Sequence, residues 1–195
     1  MPSPKALPRE VRIIGGQWKR TRLPVADKPG LRPTPDRVRE TLFNWLGQDL
    51  AGWRCVDPFA GTGALGFEAA SRGAAQVLLV EQDPGLVTRM RALQDKLAAT
   101  TVTVRRGDGL SALRQLAPGS VDLVFLDPPF DAKLHEAALK AAAPALSAQG
   151  LVYLEAPDPW DDARLAPYGL DLLKHLKAGA VHAHLVRISR PPAGP

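Results

Sequence analysis

The stretch DLVFLDPPFD, residues 122–131, places a carboxylate, two prolines and an aromatic ring directly after an apolar run. Proline has a fixed φ angle and cannot donate to a sheet ladder, so the run must end here in a rigid turn. That turn would aim Asp127 and the carbonyl group of Pro128 at one point, where two acceptors suit an exocyclic amino group. Phe130 could stack on the base that carries this group, or it could pack in the core of a purely structural turn. We predict catalytic roles for Asp127, Pro128, Pro129 and Phe130.

Acidic residues stand at or just after the ends of all the apolar runs that we predict to be parallel strands. The runs are RCVD, QVLLVE, TVTV, VDLVFLD and GLVYLEA, and the acids are Asp57, Glu81, Asp108, Asp127 and Glu155. In an open parallel sheet, ligands bind at the carboxyl ends of the strands. Helix caps and solubility would explain one or two such acids, so the full set favours a shared binding site.

The loop DPFAGTGALG follows the first of these strands and contains the spacing G-x-G-x-x-G from Gly61 to Gly66. Together with Glu81, 18 residues beyond Gly63, this spacing would equally suit a nicotinamide dinucleotide. Asp57 separates the two ligands, because a carboxylate repels a pyrophosphate and attracts the amine and sulfonium cations of S-adenosylmethionine. We therefore predict S-adenosylmethionine as the cofactor, with a nicotinamide cofactor as the alternative. The predicted cofactor contacts are Asp57, Phe59, Gly61, Gly63, Glu81, Gln82, Asp108, Gly109 and Asp127.

Strands and helices alternate from Arg54 onward, which predicts a mostly parallel sheet covered by helices on both faces. Gly73 and Gly150 are predicted helix stops. The tail LDLLKHLKAGAVHAHLVRIS predicts two antiparallel strands around residues 177–180. The fold class is therefore α/β, with a doubly wound, Rossmann-like sheet. The predicted helical segments are ALGFEAASRG, DPGLVTRMRALQDKLAA, GLSALRQLA and DAKLHEAALKAAAPAL.

The N-terminal part of the chain has a different pattern. Two short apolar runs flank Gly15 and Gly16, which predicts a β-hairpin with a two-residue turn. A helix is predicted in TPDRVRETLFNWLG, with Thr34 as its N-cap and Gly47 at its end. We divide the chain into a hairpin arm with its connector, residues 1–33, and an α/β domain, residues 34–195.

The excess positive charge lies near the N-terminus. Residues 1–40 hold ten Lys/Arg and four Asp/Glu, a balance of +6, whereas the remainder holds 15 and 16, a balance of −1. This asymmetry predicts an arm that binds a polyanion, with a solvated basic tail as the alternative. Trp18 could stack on a base or pack the hairpin onto the domain. The predicted contacts with this polyanion are Arg12, Trp18, Lys19, Arg20, Arg22, Arg32, Arg37 and Arg39.

Composition limits the class and location of the protein. The single cysteine, Cys55, excludes an internal disulfide framework and indicates a reducing cytoplasm, where we expect the thiol to be a buried apolar residue. No apolar stretch is long enough to span a membrane, and we predict no signal peptide. His182 and His184 lack accompanying metal ligands, so we predict no metal site and interpret them as a surface or interface pair.

Several of these motifs resemble one known family. DPPF is similar to the [Asn/Asp]-Pro-Pro-aromatic signature of class I methyltransferases that act on planar nitrogen atoms. VRIIGGQWKRTRLP, LRPTPDRVRETLFNWL and DPFAGTGALGFEAASRGA resemble the bacterial family that methylates a guanine N2 atom in 16S ribosomal RNA. The similarity runs from the N-terminal hairpin through the fifth parallel strand.

The resemblance implies a seven-stranded class I fold with an N-terminal hairpin extension. It implies that Asp57, Gly61 and Gly63 contact the methionine part of the cofactor, Glu81 the ribose and Asp108 the adenine. It further implies that Asp127, Pro128 and Phe130 handle the target guanine, within RNA already bound to small-subunit proteins. Arg32, Thr34, Arg37 and Arg39 match a motif that flanks cofactor and substrate.

The residues themselves leave other functions open. A Pro-Pro motif is also compatible with a DNA adenine or cytosine amino group and with a protein glutamine. A third possibility is an RNA-binding assembly factor that is not an enzyme, although the complete set of strand-end acids argues against it. We expect a monomer.

Overall fold

The computed structural model describes residues 10–25, 34–129 and 134–189. The predicted site residues Arg32 and Phe130 lie outside these ranges, as does Asp131 at the predicted start of a helix.

Two sheets contain the strands of the described residues. A small antiparallel sheet pairs β1 (Glu10–Arg12) with β2 (Arg22–Pro24). The main sheet has seven strands in the order β5-β4-β3-β6-β7-β9-β8, of which β3 to β7 run parallel and β8 and β9 form an antiparallel hairpin beside β7. The predicted fold class and both hairpins are confirmed. The main-sheet strands are β3 (Arg54–Asp57), β4 (Gln76–Glu81), β5 (Val102–Arg106), β6 (Val121–Leu126), β7 (Leu146–Ala156), β8 (Leu170–Ala178) and β9 (Val181–Ile188).

Helices cover both faces of the main sheet, because its central strands are apolar on both sides. Along β6, Leu123 and Phe125 pack on one face and Val124 and Leu126 on the other, all fully buried. The first face is covered by α1 (Asp36–Leu46), α2 (Ala64–Ser71) and α3 (Pro84–Lys96), and the second by α4 (Gly109–Arg114), α5 (His135–Ala142) and α6 (Asp162–Leu165).

Cys55 lies in the central strand β3 and is buried, as predicted. Its neighbours across the sheet are Val77 and Leu123. Burial, with a smaller contribution from the carboxylate of Asp122, raises the pKa of the Cys55 thiol to about 12. The thiol therefore remains protonated in this apolar environment.

The N-terminal hairpin has a nine-residue loop, residues 13–21, between its two strands, so the predicted two-residue turn at Gly15 and Gly16 is wrong. The loop is held by α2 as well as by its own backbone hydrogen bonds, such as the one from Ile13 N–H to the Thr21 carbonyl group. Gly15 accepts a hydrogen bond from Ser71 Oγ, and the Ser71 carbonyl group accepts one from Gln17 N–H. A Cβ atom on Gly16 would collide with the backbone of Ser71, so this glycine permits a close approach to the helix.

Two helix boundaries differ from the prediction. Pro35 is the N-cap of α1 and makes no side-chain cap, while the hydroxyl group of Thr34 donates elsewhere. Gly150 lies inside β7, which begins at Leu146, so Gly150 is not a helix stop. Gly47 ends α1 with a φ angle of 90°, as predicted. In the described part of the chain, no helix has the length and apolar character needed to cross a membrane.

Candidate active site

Three of the strand-end acids lie close together, at the carboxyl ends of β3, β6 and β7. Leu126 lies opposite Leu154, so the next residues, Asp127 and Glu155, leave neighbouring strands side by side. Asp57 ends β3 on the other flank of β6. We call Asp57, Asp127 and Glu155, together with Glu81 at the end of β4, the acidic rim.

The acids of the rim repel one another electrostatically. Burial raises the pKa of Asp57 to about 7, and the carboxylates of Glu81 and Glu155 add to that rise, while a hydrogen bond from Phe59 N–H opposes it. Burial raises the pKa of Asp127 as well, with further contributions from Glu155 and Asp57. Neighbouring carboxylates in a site of low dielectric constant favour a cationic ligand. Its positive charge would offset both the cost of burying the carboxylates and the repulsion between them.

Glu155 is buried and is oriented by two hydroxyl groups. Tyr153 Oη donates to Glu155 Oε1 at 2.7 Å, and Thr34 Oγ1 donates to the same oxygen at 2.9 Å. Burial raises the pKa of Glu155, whereas both hydroxyl groups lower it. The sequence indicated Glu155 only as a strand-end acid and gave Tyr153 no role, because a polar residue within an apolar run carries no signal of its partner.

The glycine loop lies between Glu81 and α2. Gly61 N–H donates to Glu81 Oε2 at 2.9 Å, which fixes the loop to the end of β4. Gly63 has a φ angle of 79°, and a Cβ atom there would lie 2.9 Å from Phe67 and 3.0 Å from Met90. A side chain at this position is therefore both strained and overcrowded.

Asp108 and its neighbours lie at the end of β5. Asp108 caps α4 by accepting a hydrogen bond from Ser111 N–H at 2.8 Å, and it also accepts one from Gln82 Nε2 at 3.0 Å. These bonds lower the pKa of Asp108. A Cβ atom on Gly109 would collide with the Pro58 carbonyl group, so this glycine lets the loops after β3 and β5 touch.

This set of groups fits S-adenosylmethionine in charge and in donor and acceptor type. The acidic rim offers anions for a sulfonium and an amine, Glu81 is partly exposed beside the glycine loop, and Asp108 is exposed at the end of β5. Among the described residues, no group of three or more His, Cys, Asp or Glu side chains is arranged to hold a metal ion.

The basic residues of the arm divide into exposed and buried side chains. Trp18 is partly buried and packs against the core, so the packing role is the one observed. Arg39 is fully buried and donates to the Arg12 and Thr34 carbonyl groups and to Asp36, so its predicted RNA contact is wrong. The exposed predicted contacts are Arg12, Lys19, Arg20, Arg22 and Arg37.

Glu68 on α2 holds the loop of the arm in place. Its buried carboxylate accepts hydrogen bonds from Ile14 N–H at 2.7 Å and from Gly15 N–H at 2.8 Å. It also pairs with the guanidinium groups of Arg72 at 2.9 Å and Arg39 at 3.5 Å. The sequence did not indicate this cluster, because the helical pattern of α2 does not reveal what approaches Glu68.

The interpretation of His182 and His184 as a surface or interface pair is wrong for His184. His184 is fully buried, and its Nε2 atom accepts a hydrogen bond from Trp160 N–H at 3.0 Å. Burial lowers the pKa of His184 to about 4. Its ring stacks with that of His175, whose centroid is 4.8 Å away. His184 therefore serves to join β9 to the segment before α6.

Known proteins share both sequence and fold with this chain. A family model described as "Conserved hypothetical protein 95" matches residues 11–187. The chain is 43% identical over 148 residues to "Ribosomal RNA small subunit methyltransferase D" of Escherichia coli K12, covering 75% of this chain and 74% of that protein. It is 40% identical over 181 residues to the Haemophilus influenzae protein of the same name, covering 90% and 93%. The solved structure of Escherichia coli yhhF superposes with a TM-score of 0.79 at 38% identity, covering 93% of this chain and 99% of that one.

Proposed function

The chain belongs to the family described as "Conserved hypothetical protein 95", and from this membership we propose that it is a ribosomal RNA methyltransferase. In the proposed reaction, a methyl group passes from S-adenosylmethionine to the exocyclic N2 atom of a guanine in 16S ribosomal RNA. The observation that carries the proposal is the placement of Asp127, in its Asp-Pro-Pro turn, beside the other acids of the rim.

The cofactor would lie along the carboxyl ends of β3, β4 and β5. Asp57 would neutralise its cationic methionine part, Gly61 and Gly63 would let the backbone approach it, and Glu81 would accept from the ribose. Asp108 would lie beside the adenine, with Phe59, Gln82 and Gly109 as neighbouring contacts. When bound, S-adenosylmethionine supplies an electrophilic methyl group next to Asp127.

The chain's own contribution to catalysis is to position the amino group. Asp127 and the Pro128 carbonyl group each accept one N–H bond, which turns the nitrogen lone pair away from conjugation with the ring and toward the methyl group. The positioned nitrogen would then take the methyl group that bound S-adenosylmethionine supplies, with the neutral thioether as leaving group, and its extra proton would pass to solvent beside the partly exposed Asp127. Fixed geometry and fixed charges supply most of such an acceleration. Pro129 would hold the turn, and Phe130 would stack on the base.

The arm would bind RNA through contacts that do not depend on the RNA sequence. Residues 1–33 remain our proposed division for this arm. Its proposed phosphate contacts are Arg12, Lys19, Arg20, Arg22 and Arg32, and Arg37 of α1 is a further one. The loop tip is held at the last turn of α2, whereas Leu23 lies beside Gly61. Because α2 has eight residues, the tip lies about 12 Å from the glycine loop. The arm would therefore contact RNA away from the target base. We also propose that the protein acts as a monomer on the small ribosomal subunit in the cytoplasm.

We expect labelled methyl groups to pass from S-adenosylmethionine to small-subunit RNA or particles, and mass spectrometry of the nucleosides to identify N2-methylguanosine. Duplex DNA and a glutamine-containing protein serve as competing substrates, because a Pro-Pro turn is compatible with both. Methyl groups on adenine, or transfer only to DNA or protein, would reject the proposed substrate. RNA binding with a steep salt dependence but no transfer would instead support a binding protein.

The affinity for S-adenosylmethionine is expected to fall as the pH falls through about 7, where Asp57 becomes protonated. The cation binds the carboxylate form, so protonation competes with binding and the dissociation constant rises up to tenfold per pH unit below this pKa. Calorimetry at pH 8 and pH 6 should show a dissociation constant roughly ten times higher at pH 6. Asp57→Asn should bind more weakly at pH 8 and lose most of this pH dependence. An equally strong dependence in the variant would contradict the role of Asp57.

A further inference from the structure

Glu155 has no assigned part in the proposed reaction, yet it lies directly beside Asp127. The register of β6 and β7 places these two residues at adjacent strand ends, where neighbouring backbones lie about 4.8 Å apart. Glu155 acts electrostatically on Asp127 at this position. Glu155 is 4% exposed, and Tyr153 and Thr34 both donate to its Oε1 atom. Two hydroxyl groups from separate elements thus fix one oxygen of this carboxylate, whereas no side chain of the described residues donates to Oε2.

Two adjacent carboxylates present hydrogen-bond acceptors side by side. The bases differ in whether the edge that carries the amino group offers two adjacent donors to them. On the Watson–Crick edge of guanine, N1–H lies directly beside the N2 amino group, so two adjacent groups of this edge are both donors. Adenine and cytosine present an amino group beside a ring nitrogen that is an acceptor. A carboxylate opposite that ring nitrogen would be left without a hydrogen bond, and buried polar groups without partners are costly.

We propose that Glu155 selects guanine by accepting a hydrogen bond from N1–H through Oε2, while Asp127 and the Pro128 carbonyl group accept from the N2 amino group. This inference rests on the proposed function and gives it a structural basis for the choice of base. Thr34 and Tyr153 are the positioning residues of this contact. Both hydroxyl groups donate to Glu155 Oε1, so they hold the carboxyl group in one orientation with Oε2 on its other side.

The test uses the guanosine that the labelled-methyl assay locates, replaced in reconstituted small-subunit RNA by 2-aminopurine. This base keeps the 2-amino group but carries an acceptor at N1 in place of N1–H. We expect the wild-type enzyme to methylate guanosine about 100 times faster than 2-aminopurine, as one well-formed base contact allows. If wild type methylates the two bases at similar rates, the inference is wrong whatever the variants do.

Glu155→Gln is the informative variant, because a glutamine amide can donate to the N1 acceptor of 2-aminopurine. We expect guanosine methylation to fall about 100-fold and the guanosine-to-2-aminopurine rate ratio to drop below about 10. Glu136→Gln is the matched control: it makes the same change at an exposed glutamate of α5, so both rates and their ratio should stay close to the wild-type values. An unchanged ratio in Glu155→Gln would overturn the inference.

Two further measurements distinguish a failure of this inference from a failure of the proposed function. Calorimetry should still show binding of S-adenosylmethionine by Glu155→Gln, weakened by less than about tenfold because Asp57 still meets the cationic part of the cofactor, if the cleft is intact. A wild-type enzyme that methylates no guanosine in any ribosomal substrate would reject the proposed function itself. Methylated guanosine together with equal rates on 2-aminopurine would reject only the role of Glu155.

Discussion

Replacing Asp127 with alanine is expected to lower kcat for methyl transfer by about 10²–10³-fold, because the amino group loses one of its two aimed acceptors. The affinity for S-adenosylmethionine should change by less than about threefold, since the cationic part of the cofactor still meets Asp57. Removal of one carboxylate also relieves the repulsion that Asp127 exerts within the acidic rim. Single-turnover kinetics on small-subunit RNA, with calorimetry for the cofactor, measures both quantities.

Asparagine at the same position is the matched control. Asp127→Asn keeps an acceptor oxygen of nearly the same reach, and asparagine is the alternative residue in the Pro-Pro signature. We expect a loss of no more than about tenfold in kcat, because the hydrogen bond survives and only the charge is removed. An asparagine variant as inactive as the alanine variant would show that the charge, not the aimed acceptor, is what the reaction requires. A collapse of cofactor affinity in either variant would contradict our division of roles.

Replacing Glu68 with alanine is expected to lower the free energy of unfolding by about 3–5 kcal/mol, the usual cost of breaking a buried ion pair from one side. Two guanidinium groups would lose their shared anion, and the N–H groups of Ile14 and Gly15 would lose their acceptor. Urea denaturation measures this change. The loop of the arm should also detach before the domain unfolds, so trypsin should cleave after Lys19 or Arg20 faster than in wild type.

Two other substitutions serve as controls for the effect of Glu68→Ala on the free energy of unfolding. Glu68→Gln keeps one acceptor oxygen and the side-chain volume, so it should be less destabilising than alanine. Glu40→Ala removes an exposed acid from α1 and should change the free energy of unfolding by less than about 0.5 kcal/mol. Equal effects of Glu68→Ala and Glu40→Ala would mean that the arm is not held by the Glu68 carboxylate.

Strand periodicity and turn residues were sufficient to predict the main sheet. Arg54–Asp57 and Gln76–Glu81 have the predicted boundaries, because each is an apolar run that ends in an acid. Asp83 caps α3 and Pro84 begins it, as their types predict. The resemblance to ribosomal RNA methyltransferases is confirmed by the relatives, and it rests on local motifs that a single sequence displays directly.

Contacts between distant segments could not be predicted in the same way. Arg39 appeared to be one more basic residue of the arm, but it is buried because the carbonyl group of Arg12 and the carboxylates of Asp36 and Glu68 surround it. Thr34 appeared to be a helix cap, but Glu155, 121 residues away, accepts from its hydroxyl group. Both side chains had possible partners nearby in the sequence. Their distant partners are set by the tertiary structure, which local sequence patterns do not reveal.

The central position of Cys55 makes the only thiol of the chain an internal reporter of cooperative opening. A protonated sulfhydryl between Val77 and Leu123 reacts with alkylating reagents only when β3 separates from its neighbours. The rate of modification at neutral pH therefore follows the population of molecules in which β3 has separated from β4 and β6. No engineered probe is needed to follow how strongly a bound ligand suppresses that event.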